Sequence, residues 1–205
     1  MIKYYKKQCS SERKFRNELF VYQSSFPYKP KLIEIIQPRT FVLEKVDAIS
    51  YLDLPELTVT MLRKLADTIF RFHSVARFED KVLCHWDNQP QNILWSEKRQ
   101  SFYLIDFEDI RFAAPEADLA HLLLFWAEIF DYDTFKQHAF TFLTSYQRKN
   151  KLSVNNWESA LTKAKMRFTR RRNAYHKQEA HPSPERQQNI DYLSSGEFNS
   201  VLRAP

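Results

Sequence analysis

Between Val82 and Ala120 three short apolar runs each carry a carboxylate or carboxamide at an edge. The first, Val82-Leu83-Cys84-His85-Trp86, leads into Asp87 and then Asn88-Gln89-Pro90-Gln91-Asn92. The second and third, Ile93-Leu94-Trp95 and Phe102-Tyr103-Leu104-Ile105, flank a polar turn from Ser96 to Gln100 and end at Asp106, Glu108 and Asp109. Pro90 forbids a helix through the first loop, and the two later runs read as strands of a tight hairpin. Folding that hairpin back brings Asp106 near Asn92. An Asn carbonyl with an Asp carboxylate is a pair of hard oxygen ligands, which suits a magnesium ion that takes its remaining ligands from water and phosphate. Asp87 is then left to orient and deprotonate a hydroxyl, which is the minimal equipment for phosphoryl transfer.

The pattern His85-x-Asp87-x-x-x-x-Asn92, followed by Ile105-Asp106-Phe107-Glu108 and Asp118-Leu119-Ala120, resembles the catalytic core of the aminoglycoside phosphotransferase and choline kinase group. A lone His-x-Asp is common by chance; the combined spacing is specific. The plainer reading, loop polars and a helix cap in an ordinary α/β domain, leaves that spacing unexplained.

The resemblance implies ATP and Mg2+ as cofactors, with Asn92 and Asp106 as metal ligands and Asp87 as base or orienter. It implies that His85 braces the catalytic loop by hydrogen bonds and that Asp118 anchors it, a role compatible with capping the helix expected over Leu119 to Phe130. A strand lysine held by a helix glutamate grips the nucleotide phosphates in this group, and Lys3 and Glu18 occupy the matching places. The adenine edge would meet the carbonyl of Glu44 and the amide of Val46. The plainer alternative for Lys3 and Glu18 is a solvated basic start and a surface acid, and for Glu44 and Val46 a plain strand. Glu108 stands where protein kinases carry glycine, and only Ile110 to Glu116 links Asp106 to the next helix, so a long regulated activation segment has no room.

The group normally has two further strands upstream, with a loop over the phosphates, whereas this chain opens at what corresponds to the third. A truncated start, a naturally minimal upper lobe and a protein without turnover all fit that departure. An exposed strand edge would also invite pairing, which a partner or homodimer would relieve.

The fold class implied is α+β: a protein-kinase-like two-lobe fold with a reduced N-terminal β lobe and a mainly helical C-terminal lobe. The expected division is 1–47 for the reduced lobe (strand, helix, hairpin, hinge), 48–178 for the helical lobe with the catalytic loop, and 179–205 for a polar, loosely held tail. Ile2 to Tyr5 begins a strand; Ser10 or Ser11 caps a helix whose stripe is Phe15, Leu19, Phe20 and Tyr22. Leu32 to Ile36 pairs with Phe41 to Val46. A long amphipathic helix starts at Leu54-Pro55-Glu56 and carries Leu57, Met61, Leu62, Leu65, Ile69 and Phe72, with His73 at its end as a packing or capping residue. Two more helices present Phe135, Ala139, Phe142, Leu143, Tyr146 and then Trp157, Leu161, Ala164, Phe168.

Composition bounds the partners. The 205 residues are 43% hydrophobic and 15% aromatic, enough for a folded core. A net charge of +6 suits an anionic ligand such as a nucleotide. Lys163, Lys165, Arg167, Arg170, Arg171 and Arg172 form a basic run whose default is a solvated face; it also disfavours a polycationic antibiotic as substrate. Nucleic acid is the least supported partner, because only Phe168 interleaves with that run. The single glycine, Gly196, excludes glycine-rich phosphate loops. Cys9 and Cys84, no apolar run of membrane-spanning length and no leader-like start together give a cytoplasmic expectation. The expected function is ATP- and Mg-dependent transfer of phosphate to a hydroxyl of a small metabolite, with a catalytically weak kinase-like binding or scaffold protein as the alternative.

Overall fold

The computed structural model describes residues 3–175 and 183–203. The upper part is a three-stranded antiparallel sheet in the order β1-β3-β2, from β1 (Tyr4–Gln8), β2 (Leu32–Ile36) and β3 (Thr40–Glu44). Helix α1 (Glu12–Gln23) packs on it. Ser11 caps α1 by accepting the Lys14 amide at 3.3 Å, which settles the choice between the two serines. Phe15 stacks on Phe41 with ring centres 4.7 Å apart, and Tyr22 meets the same ring edge-on. Phe20, expected on this stripe, points outward, since its place on the helix lies a residue off the 15-19-22 line.

The expected pairing of Leu32–Ile36 with the strand from Phe41 is present, although β3 ends at Glu44. Below it lie β4 (Ile49–Ser50), a 3-10 turn at Tyr51–Asp53 and α2 (Val59–His73). Helix α2 starts later than Leu54, because Thr58 has the extended backbone of a cap and its hydroxyl accepts the Met61 amide. Its expected core face is largely buried, with Leu62, Leu65, Ile69 and Phe72 excluded from water.

Two small sheets follow. One is β4-β7-β8, with β7 (Ile93–Ser96) and β8 (Ser101–Leu104) forming the expected hairpin; the other is β5-β6-β9, from β5 (Arg77–Phe78), β6 (Lys81–Cys84) and β9 (Arg111–Ala113). Left-handed turns normally fall to glycine. Here Glu79 (φ 53°) and Gln100 (φ 49°) make them at the hairpin turns, and Trp86 (φ 67°) and Asp106 (φ 64°) at the candidate site.

The helical part contains α3 (Glu116–Ile129), α4 (Tyr132–Gln147) and α5 (Val154–Tyr175), then α6 (Pro184–Tyr192) and α7 (Gly196–Arg203). The α4 stripe from Phe135 to Tyr146 is buried as expected, as are Trp157, Leu161 and Ala164 of α5.

The expectation of a loosely held tail over 179–205 is corrected for residues 184–203. Asn189, Tyr192, Leu193, Phe198, Val201 and Leu202 are buried, Trp157 donates its indole N–H to Leu193 O at 3.0 Å, and Gln147 donates to Val201 O at 2.8 Å. The low average hydropathy of this segment hid two narrow apolar stripes separated by the Ser194–Ser195 turn. Residues 179–182, 204 and 205 lie outside the described residues, as do the side chains of Arg170, Arg171 and Arg172 in the basic run.

Candidate active site

Residues His85 to Asn92 form a loop between β6 and β7, and its shape is imposed from several sides. Asp118, fully buried on the first turn of α3, accepts the His85 amide at 2.6 Å and the Trp86 amide at 2.8 Å. Its Oδ2 also lies 3.1 Å from His73 Nε2, and His73 Nδ1 is 2.7 Å from the Tyr146 hydroxyl. His73 is therefore part of the loop's support, in keeping with a packing role. The capping role expected for Asp118 does not occur: α3 begins at Glu116 after Pro115, without a side-chain cap, and the carboxylate turns to the loop instead.

Burial alone would push the Asp118 carboxyl up; the His73 hydrogen bond and charge, with His85 and the Trp86 amide, outweigh it and hold the group below the ordinary Asp range.

On the other side of the loop His85 Nε2 is 2.9 Å from Ile105 O, and its ring lies among Phe72 and Phe107, with centres 5.7 and 5.3 Å away. Phe107 also meets Tyr22 of α1 at 5.8 Å. An aromatic chain therefore runs from α1 to the loop, and His85 is held in it as a brace.

Asn92 donates Nδ2 to Asp87 O at 2.9 Å and to Asp87 Oδ2 at 3.3 Å, while Asn92 O accepts the Ile105 amide at 3.1 Å. These bonds fix the Asn92 backbone against Ile105, the residue before Asp106, and commit the Asn92 side-chain N–H to Asp87, so its other face is the oxygen. Asp87 also accepts from Gln89 Nε2 at 3.2 Å.

The cation of the upper part differs from expectation. Lys7, not Lys3, is the lysine paired with Glu18, and its Nζ also lies 2.7 Å from Asp106 Oδ1. Lys3 is exposed, and its described contact is a backbone one, Lys3 O accepting the Lys45 amide at 2.8 Å. Both lysines share the strand parity that faces α1, but four residues of strand separate them by about 13 Å, and only Lys7 comes level with Glu18. The signal for Lys7 was its place two residues before the buried Cys9.

Desolvation would lower the Lys7 pKa, yet Glu18 and Asp106 outweigh it and raise it; burial lifts the Glu18 carboxyl despite Lys7.

Glu108, which the motif left without a role, is bound to α1. Its Oε2 is 2.7 Å from Lys14 Nζ, its carbonyl accepts Asn17 Nδ2 at 2.7 Å, and Oε1 is 3.8 Å from Lys7 Nζ. Carboxylate oxygens of Glu18, Asp106 and Glu108 lie within 4.8 Å of one another around that ammonium. Glu44, the last residue of β3, donates its amide to Lys31 O at 2.9 Å, and its carboxylate accepts from Arg99 Nη2 at 2.9 Å.

Fold and loop together define a protein-kinase-like scaffold. The sequence model of the phosphotransferase enzyme family matches residues 75–148, which span Asp87, Asn92, Asp106 and Asp118. No curated protein matches the sequence.

Among solved structures the chain is similar to an ethanolamine kinase of Plasmodium vivax, at 12% identity and TM-score 0.63, covering 98% of this chain and 77% of that one. It is similar to a choline kinase of Streptococcus pneumoniae, at 18% identity and TM-score 0.61, covering 94% and 86%. It is also similar to an aminoglycoside phosphotransferase of Streptomyces rimosus in complex with ADP and streptomycin, at 14% identity and TM-score 0.62, covering 94% and 87%. The chain thus has the aminoglycoside phosphotransferase and choline kinase-like fold that its motif resemblance implied.

Proposed function

We propose that the protein is a phosphotransferase that moves the γ-phosphoryl group of ATP to a hydroxyl of a small molecule, with Mg2+. The observation that carries this reading is that Lys7 joins Glu18 to Asp106 while Asn92, bonded to Asp87, holds the amide of Ile105, the residue before Asp106. Lys7 takes the part of phosphate clamp that the sequence had given to Lys3, with Glu18 holding it; Asp106 and Asn92 would hold the metal. Those two residues fit the ion by donor chemistry: an Asp side chain 40% exposed and a carboxamide whose N–H side is already used. Bound there, Mg2+ would neutralise phosphate charge.

Asp87 accepts a hydrogen bond from the incoming hydroxyl, which attacks phosphorus as the bond to the ADP oxygen breaks; the proton passes to Asp87 or leaves with the product. His85 keeps the loop in shape. The backbone of Glu44 and Val46 takes the adenine edge between an upper unit, 1–47, and the helical unit from 48 onward.

A small-molecule acceptor is supported by the Glu108 anchorage, which ties the segment after Asp106 to α1. Among the described residues no helix is long and apolar enough to cross a membrane, and the two free, buried cysteines support a reducing compartment such as the cytoplasm.

Calorimetric titration with Mg-ATP and an ATP-consumption assay test the reading. Asp106→Ala is expected to abolish magnesium-dependent nucleotide binding, and Asp87→Asn to keep binding while turnover falls by about 100-fold or more. Equal Mg-ATP binding by wild type and Asp106→Ala would overturn it.

A further inference from the structure

Trp86 stands between His85 and Asp87 with φ 67°. A bulky residue in the left-handed region is strained and persists only where its surroundings impose it. Its amide is held by Asp118 at 2.8 Å and its carbonyl by Arg167 Nη2 at 2.6 Å. The indole carries two guanidinium groups, Arg111 Cζ at 4.2 Å and Arg167 Cζ at 4.5 Å from the ring centre. Arg111 arrives from β9, where its Cα partner is Cys84, two residues before Trp86. Two cations on one ring repel each other.

Holding Trp86 in place accounts for Arg167 and leaves Arg111 unexplained. Among the described residues Arg111 makes no ion pair and no side-chain hydrogen bond; the acid that attracts it, Asp109, is already 3.4 Å from Arg13. Burial draws its pKa down, and repulsion by Arg13 offsets attraction by Asp109. Five N–H donors in a planar fork are thus held by stacking on the residue that precedes Asp87, with no acceptor among the described residues. That fork matches a carboxylate or phosphate bidentately.

We propose that Arg111 and Arg167, stacked on Trp86 beside Asp87, recognise an oxyanion on the phosphoacceptor, so that the substrate is a hydroxy compound bearing a carboxylate or a phosphate. This rests on the phosphotransferase reading for the word substrate, whereas the anion site stands on its own geometry. A cationic amino-alcohol or aminoglycoside would meet two guanidinium groups where its hydroxyl must reach Asp87, and is selected against.

The test observes the site without turnover. Protein labelled with 15N on its 4 tryptophans is titrated with glycerol 3-phosphate, D-glycerate, glycerol and choline at constant ionic strength, with Trp86→Phe assigning the resonance. The Trp86 indole signal is expected to shift and saturate at about millimolar concentration with one or both anions, and not with glycerol or choline. The phosphate and carboxylate arms tell which oxyanion is preferred. Arg111→Gln is expected to weaken that binding about 10-fold or more, and Arg111→Lys less, because charge survives without the fork.

A Trp86 signal unmoved by either anion, or moved as much by choline, would overturn the inference, as would wild-type affinity in Arg111→Gln. Failure of the phosphotransferase reading registers separately, in Mg-ATP binding by Asp106→Ala.

Discussion

The Asp118 carboxylate sits 2.6 Å from the His85 amide nitrogen, so a helix residue 33 positions downstream dictates the backbone of the loop that carries Asp87. The same carboxylate holds the Trp86 amide and meets His73.

Asp118→Ala is expected to destabilise the protein by about 3–5 kcal/mol, because two buried amides and a buried histidine lose their acceptor together. Asp118→Asn keeps the shape but turns an N–H toward one of those amides, so it should cost about 2–4 kcal/mol. Denaturant midpoints at constant slope measure both, and a change under about 1 kcal/mol in Asp118→Ala would show the anchor to be dispensable.

The pH dependence of that anchor follows from its depressed pKa. Burial opposes ionisation, but His73, His85 and the Trp86 amide overcome it, so the folded value lies below the unfolded one. The contribution is then complete above the unfolded Asp pKa of about 3.9 and drains away as pH falls through the lower folded value. Acid titration of unfolding free energy should show this loss in wild type and a smaller one in Asp118→Asn.

Lys7 and Lys3 separate by substitution. Lys7→Met removes the ammonium shared by Glu18 and Asp106 and should weaken Mg-ATP binding by about 10-fold or more, as expected for a lost charge-assisted contact. Lys3→Met, on an exposed residue, should change it less than about twofold. Calorimetry on both, with melting curves taken in parallel, decides; equal losses would return the clamp to open choice.

The tie between Lys14 and Glu108 is of another kind. Lys14 is 32% exposed and Glu108 17%, so solvent screens their 2.7 Å pair, and Lys14→Ala should cost under about 1 kcal/mol. Its effect belongs in local order: amide exchange over 107–113 should speed up while the global midpoint hardly moves.

The C-terminal helices are part of the core. Phe198 is buried against Trp157, with ring centres 4.8 Å apart, and Phe198→Ala should cost about 3–5 kcal/mol, as for other buried phenylalanines. Removing residues 184–205 should expose Trp157 and red-shift its emission, whereas a tail that only trails the fold would leave the spectrum unchanged.

Local regularities were legible from residue types alone. The α4 stripe from Phe135 to Tyr146, the Ile93–Leu104 hairpin and the face of α2 follow from side-chain period, which the backbone enforces within a few residues. The spacing of Asp87, Asn92 and Asp106 was readable for the same reason: they lie on one loop and the hairpin that follows it, although the loop's shape is held by Asp118 from α3.

What the chain itself determined, then, is the set of reactive groups and the short-range geometry joining them. Which lysine meets Glu18, where the Asp118 carboxylate turns, whether polar residues 184–203 join the core and which cations stack on Trp86 were decided only by tertiary structure. Each depends on two segments far apart in sequence coming level in space. Residue type and parity are the same for Lys3 and Lys7, and only the register of β1 against β3 and the placing of α1 distinguish them.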